Sequence, residues 1–256
     1  MYIDTHAHLT SSRFTNQSVA IVDRATAAQV TTILTMGTDL HDSRKAISVA
    51  QHFPRVFAAA GIHPENLDHL SETWRTDLAT MLHLDKVVAV GEIGLDYVNG
   101  SPDHALQQNI LIEQIKLARE LNLPVILHCR EAFDDLFKLI QPFAPLMGVM
   151  HSFTGNAAQA RETIADGLHL GLNGIVTFSN AKELQEVTKG IPLTRIVLET
   201  DCPYLAPQPV RGKLNEPQYI PMIATKIAEL LEIPVAKVAE QTTANASTLF
   251  NLPQFE

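Results

Sequence analysis

His6 and His8 stand two residues apart in the stretch Asp4-Thr5-His6-Ala7-His8, a few residues into the chain. In an extended strand the side chains alternate between faces, so both imidazoles point the same way and can share one metal ion. Two imidazoles do not complete such a site, and the remaining ligands have to come from elsewhere. Metal-capable residues recur after five further short apolar runs: Gly61-Ile62-His63-Pro64, Gly91-Glu92-Ile93-Gly94-Leu95-Asp96-Tyr97, His128-Cys129-Arg130, His151-Ser152-Phe153-Thr154-Gly155 and Glu199-Thr200-Asp201. His6, His8, Glu92, His128, His151 and Asp201 together offer four imidazoles and two carboxylates. That is too many ligands for one tetrahedral ion and suits two cations with positions left for water and substrate. A bridging carboxylate would hold such ions ~3.5 to 4 Å apart and offset their repulsion. Glu92, central in chain order, is the expected bridge, because no lysine stands at a strand end to serve instead.

The elements that must position these groups alternate along the whole chain. Short runs rich in Val, Ile and Leu predict eight strands, at 2–5, 31–36, 56–60, 87–91, 124–127, 148–150, 168–172 and 195–199. Helical periodicity between them predicts helices at 18–28, 42–52, 74–83, 104–122, 132–141, 157–166 and 181–189. In the helix from His104, Leu106, Ile110, Leu117 and Leu121 mark the expected buried side. Alternating strands and helices imply right-handed βαβ units and a parallel sheet, and eight repeats point to a closed (β/α)8 TIM barrel, with an open doubly wound sheet as the alternative. Active sites of such barrels collect at the C-terminal ends of the strands, where the residues above fall. A proline-rich segment at 203–217 and helices near 219–231 and 234–250 are expected to cover the barrel or close one end. With no linker or change of composition, residues 1–256 read as one domain.

The bulk numbers narrow the class. A chain of 256 residues with 46% hydrophobic and 18% charged residues builds a substantial core and has the makeup of an ordinary globular protein. No basic region followed by a long apolar run is present, so the expected location is cytoplasmic, with no membrane association and no obligate protein partner. Cys129 and Cys202 form no Cys-x-x-Cys and are expected to be small fillers. The net charge of −9 argues against a broad nucleic-acid-coating surface, so phosphate, if bound, is recognised locally.

The same segments resemble a known family. Asp-Thr-His-Ala-His at the start, Gly-Glu-Ile-Gly-Leu-Asp-Tyr at 91–97, Glu-Thr-Asp-Cys-Pro-Tyr-Leu-Ala-Pro at 199–207 and Arg-Gly-Lys-Leu-Asn-Glu-Pro at 211–217 are similar to the signatures of the TatD-type metal-dependent deoxyribonucleases. The resemblance spans the chain in the right order. It implies an amidohydrolase-like barrel with two divalent metals that hydrolyses phosphodiester bonds, often as an exonuclease, and the ligand set carried over is the one reached from the strand ends.

In that chemistry the cations activate a water that attacks phosphorus in line. Asp201 is the expected general base and Glu92 the bridge. Arg130 and Arg211 are candidate phosphate clamps, because a guanidinium fork matches two phosphate oxygens. Asn215 and His63 are candidate further substrate contacts. Asp4 and Glu199 share the parity of the ligands one layer lower and are expected to orient the imidazoles. The expected cofactors are two divalent ions, zinc, manganese or magnesium. The expected substrate is DNA, single-stranded or at 3′ ends, with a small phosphorylated molecule as the alternative. The same centre could also hydrolyse a small amide or ester, and a non-catalytic binding barrel is the remaining alternative.

Overall fold

Each apolar run becomes a strand and each amphipathic run a helix, in strict alternation. The computed structural model describes residues 1–68, 70–98 and 102–253, so His69, expected to be structural or exposed, lies outside the described residues. The strands are β1 (Tyr2–Ala7), β2 (Val30–Met36), β3 (Val56–Ala60), β4 (Val87–Asp96), β5 (Val125–Arg130), β6 (Gly148–Met150), β7 (His169–Leu172) and β8 (Ile196–Leu198). Helices α1 (Ser18–Ala27), α2 (Leu40–His52), α3 (Trp74–Leu82), α4 (His104–Glu120), α5 (Phe133–Ile140), α6 (Ala157–Ala165) and α7 (Lys182–Gly190) each follow the strand of the same number. The chain ends with α8 (Ile220–Leu231) and α9 (Val235–Leu249).

All neighbouring strands pair in parallel, in the order β1 to β8. The ring closes where the chain beyond β8 meets β1. Ala7 bridges Cys202, Asp201 N donates to His6 O at 2.9 Å, and His8 N donates to Cys202 O at 2.8 Å. The expected (β/α)8 barrel is the fold that forms. Among the described residues, no helix is long and apolar enough to cross a membrane.

Among the described residues two large apolar clusters, and a small third one of Ile62, Leu67 and Ile110, hold this shell together. The larger packs the helices onto the outward faces of the strands. The second gathers Ile3, Leu34, Phe57, Ala89, Ile126, Val149 and Val197 with Ala246, Phe250 and Leu252. Phe57, Ile126, Val149 and Val197 share parity with His128 within β5 and with His63, His151 and Asp201 just beyond the ends of β3, β6 and β8, and these residues face the barrel interior. α9, with Phe250 and Leu252 beyond it, therefore closes the bottom of the barrel, and the interior layer above the apolar floor is left for polar groups.

The buried side of α4 is the expected one at Ile110 and Leu117, which are buried, and at Leu121, which packs against the core, but not at its start. Leu106 is exposed, whereas Gln107 and Gln114 are buried. Gln107 accepts from Asp96 N and donates to Asp96 O, both at 2.8 Å. Gln114 accepts from Ile62 N at 2.8 Å and donates to Ile62 O at 3.1 Å. Each amide thus satisfies both backbone groups of a residue beside the site, one at the end of β4 and one next to His63. Gln114→Ala strands a buried N–H and a buried C=O, and the expected loss is about 1 to 3 kcal/mol in denaturant unfolding. Both cysteines fit the filler reading: burial pushes the Cys129 thiol up to about 12 and raises that of Cys202 as well.

Candidate metal centre

β4 and β5 run further than expected, to Asp96 and Arg130, with Gly94 paired to His128 and Asp96 to Arg130. Gly94 allows this extension: its φ is +151°, and a Cβ there would collide with the His128 carbonyl. A register irregularity between Val90 and Ile93 offsets the alternation. Ala89 and Glu92, an odd number of residues apart, both reach the interior.

The Glu92 carboxylate is the centre of the constellation. Its Oε2 lies 3.2 Å from His6 Nε2 and 3.7 Å from His8 Nε2. Its Oε1 lies 3.0 Å from His128 Nδ1, 3.5 Å from His63 Nε2 and 3.8 Å from His151 Nε2. Asp201 Oδ1 stands 3.3 Å from His8 Nε2 and 3.9 Å from Nε2 of both His6 and His151. Among the described residues three groups have metal-ligand spacing: His6 with His8 and Glu92, His63 with Glu92 and His128, and His6 with His151 and Glu199. One oxygen of Glu92 belongs to each of the first two.

The donor set fits divalent cations. His6 Nε2 and His8 Nε2 face each other at 3.3 Å with carboxylate oxygens on either side, a convergence of lone pairs that a cation satisfies better than any arrangement of protons.

Second contacts hold the imidazoles. His128 donates from Nε2 to Asp96 Oδ2 at 3.0 Å, which leaves Nδ1 turned to Glu92. His151 Nδ1 lies 3.0 Å from Glu199 Oε1, an oxygen that also accepts from Ser152 N at 2.6 Å. Glu199 therefore orients an imidazole, as its parity implies. Asp4 does something else: its carboxylate accepts from Thr200 N at 2.9 Å, Thr200 Oγ1 at 2.6 Å and His6 N at 3.2 Å. It fixes the backbones of β1 and of the chain beyond β8, not a ring.

The charges in the site are set by this crowding. Burial alone would keep the His128 and His151 rings neutral, but hydrogen bonds to Asp96 and Glu92 push His128 up to about 9, and Glu199, Glu92 and Asp201 push His151 up to about 10. Burial opposes charge on Glu92 and Asp201 too, and the surrounding imidazoles outweigh it and hold both carboxyls below their ordinary range. In the metal-free protein these raised histidines stabilise the fold fully below pH 6.5, and that contribution is lost as the pH climbs through about 9 to 10. Metal binding runs the other way, since ligation displaces the protons. Zinc affinity, measured by chelator competition, is expected to rise about tenfold per pH unit for each proton displaced.

The centre opens onto a cavity of about 700 Å³ whose wall includes Thr10, Lys45, His63, Arg130 and Tyr204. Arg130 and His63 are thus brought to the site. Arg211 and Asn215 are not among the residues lining it. The Arg211 guanidinium sits over the Phe178 ring at 4.1 Å. Asn215 is fully buried and donates to Thr200 O and Tyr204 O, so it supports the loop beyond β8 from beneath and is out of a substrate's reach. Asp96, Lys45 and Tyr204 escaped the sequence reading. Asp96 and Tyr204 lie inside quoted motifs without an assigned role, and Lys45 sits on a helix, where a lysine reads as a solvated charge. His41, exposed near the start of α2, also stands on the cavity rim.

Residues 3–251 match the family described as TatD related DNase. The chain is 39% identical to the uncharacterized metal-dependent hydrolase YabD of Bacillus subtilis (strain 168), over 98% of this chain and 100% of that one. It is 34% identical to the 3'-5' ssDNA/RNA exonuclease TatD of Escherichia fergusonii, over 97% of this chain and 98% of that one. The crystal structure of YJJV, a TatD homolog from Escherichia coli K12, superposes with a TM-score of 0.94 at 34% identity, with 98% of both chains covered. These matches make the protein a hydrolase of ester bonds that uses divalent metal, and the chain belongs to the TatD family of metal-dependent hydrolases.

Proposed function

We propose that the chain, acting as one catalytic unit over residues 1–256, removes nucleotides from the ends of single-stranded nucleic acid, with two divalent cations held by His6, His8, Glu92, His128, His151 and Asp201. The observation that carries the reading is the division of Glu92, one oxygen toward His6 and His8 and the other toward His128, His63 and His151. Relatives named as ssDNA/RNA exonucleases support the substrate class. An imidazole-rich set suits zinc or manganese, and the carboxylates also accept magnesium.

When bound, the cations supply Lewis acidity, which activates water at neutral pH and offsets charge on a phosphoryl oxygen. The residues do the rest. Asp201 Oδ1, ionised at neutral pH, takes the proton of the attacking water as its oxygen bonds to phosphorus and the bond to the leaving oxygen breaks. Arg130, exposed at the end of β5, offers a forked donor to the phosphate, and Lys45, on α2, a point charge on the wall of the same cavity. His63 presents a ring nitrogen beside the same oxygens.

Chelator-stripped protein refilled with manganese, magnesium or zinc should bind about two ions per chain and release nucleotides from a single-stranded oligonucleotide. Hydrolysis of a small ester or amide without any nucleotide release would overturn the nuclease reading.

A further inference from the structure

The loops around the barrel mouth differ in their acidic content. After β2, β3 and β5 the rim carries Asp39, Asp42, Glu65, Asp68, Glu131, Asp134 and Asp135, all exposed or half-buried, interleaved with Arg44, Lys45, Arg130 and Lys138. After β6, β7 and β1, residues 151–156, 173–181 and 8–17 contain no acidic residue at all. Beyond β8 the acids are Glu199 and Asp201 at the centre itself, and Glu216, which Arg24 holds in a two-point ion pair at 2.7 and 3.0 Å. The same half bears Arg13, Arg211 and Lys213, all exposed. A polyanion approaching the centre meets mixed charge on one side, where Arg130 and Lys45 stand among the acids, and cations without loop acids on the other.

On the side without loop acids, an exposed aromatic ring stands at the cavity itself. Tyr204 is 48% exposed although it lines the cavity, and its ring centroid is 6.2 Å from that of His8. The ring is held in place: Tyr204 N donates to Asp201 O at 3.0 Å, Asn215 grips its carbonyl, and the Arg13 guanidinium lies 5.2 Å from the ring centroid. A rigid, exposed aromatic beside a phosphate-cleaving centre matches the stacking platforms on which unpaired bases rest, with a cation nearby for the backbone.

We infer that Tyr204 is the platform for the nucleobase at the end of the strand, and that the strand leads away over the acid-free half of the rim beside Arg13. The inference rests on the nuclease reading and deepens it.

The test uses metal-loaded enzyme and two single-stranded oligonucleotides, one ordinary and one with an abasic residue at its 3′ end. Tyr204→Ala should raise KM for the ordinary strand about tenfold and make no difference on the abasic one. Tyr204→Trp should restore the ordinary KM, which a merely structural role would not do. With chelator-treated protein and a fluorescein-labelled oligonucleotide, Arg13→Gln should lower the slope of log affinity against log salt by about 0.7. Equal impairment of Tyr204→Ala on both strands, failure of Trp to rescue, an unchanged salt slope, or cleavage of circular single-stranded DNA would overturn the inference. A wild-type enzyme that releases nucleotides from neither strand would overturn the nuclease reading instead.

Discussion

Glu92→Gln is expected to leave a folded protein whose turnover is at least about 1,000-fold lower and whose metal content drops from about two ions per chain to one or fewer. Glutamine keeps the shape of the side chain and removes its charge. One of the two atoms facing the imidazoles becomes an NH2 group, which repels a cation and cannot ligate it. Lewis-acid stabilisation by a bound ion is worth several kcal/mol, and losing about 4 kcal/mol slows a reaction roughly 1,000-fold. The change is also visible without activity. Glu92 helps to hold the His128 and His151 rings charged, so in the metal-free variant both should titrate lower than about 9 and about 10 by NMR. Full metal content in the variant would show that Glu92 does not bridge.

Asp201→Asn separates the roles of ligand and base. Asp201 has a φ of 57°, a left-handed backbone that asparagine also tolerates, so the fold is expected to survive. Burial pushes the Asp201 carboxyl up, but the hydrogen bond from His8 and the neighbouring rings hold it below its ordinary range. It therefore stays ionised as the pH falls, yet it is a weak base. General-base catalysis contributes about 100- to 10,000-fold, and a weak base belongs in the lower part of that range. The expected loss is about 100- to 1,000-fold in kcat, with disappearance of the acidic limb of the pH profile. If metal content falls in parallel with rate, Asp201 acts mainly as a ligand. If metal is retained, the loss belongs to proton transfer.

The barrel and most of the centre are legible in the sequence because two simple periods govern them. His63, His128, His151 and Asp201 follow from alternation along strands whose inward positions are apolar lower down, at Phe57, Ile126, Val149 and Val197. Glu92 does not follow in this way. Counted from Ala89 it faces outward, and only the irregularity between Val90 and Ile93 turns it inward. Its place at a strand end and the family resemblance pointed to it where parity could not. Gln107 and Gln114 were illegible because a search for apolar periodicity passes over a buried amide whose partners are backbone groups elsewhere in the chain. Arg211 and Asn215 look like substrate contacts in a motif beside the site. Their side chains are committed to Phe178 and to the carbonyls of Thr200 and Tyr204, which composition cannot reveal. Asp96 was hidden by its own motif, since its work of aiming His128 requires β4 to extend past Gly94.

The central claim is that a Glu92-bridged pair of cations cuts nucleotides from the end of a single strand. Its most direct test is a time course with a single-stranded oligonucleotide labelled at the 5′ end, incubated with manganese-loaded protein and resolved at single-nucleotide resolution. The expected result is a ladder that shortens one nucleotide at a time from the 3′ end and is abolished by chelation. An intact strand, or fragments from internal cuts with no ladder, would contradict it.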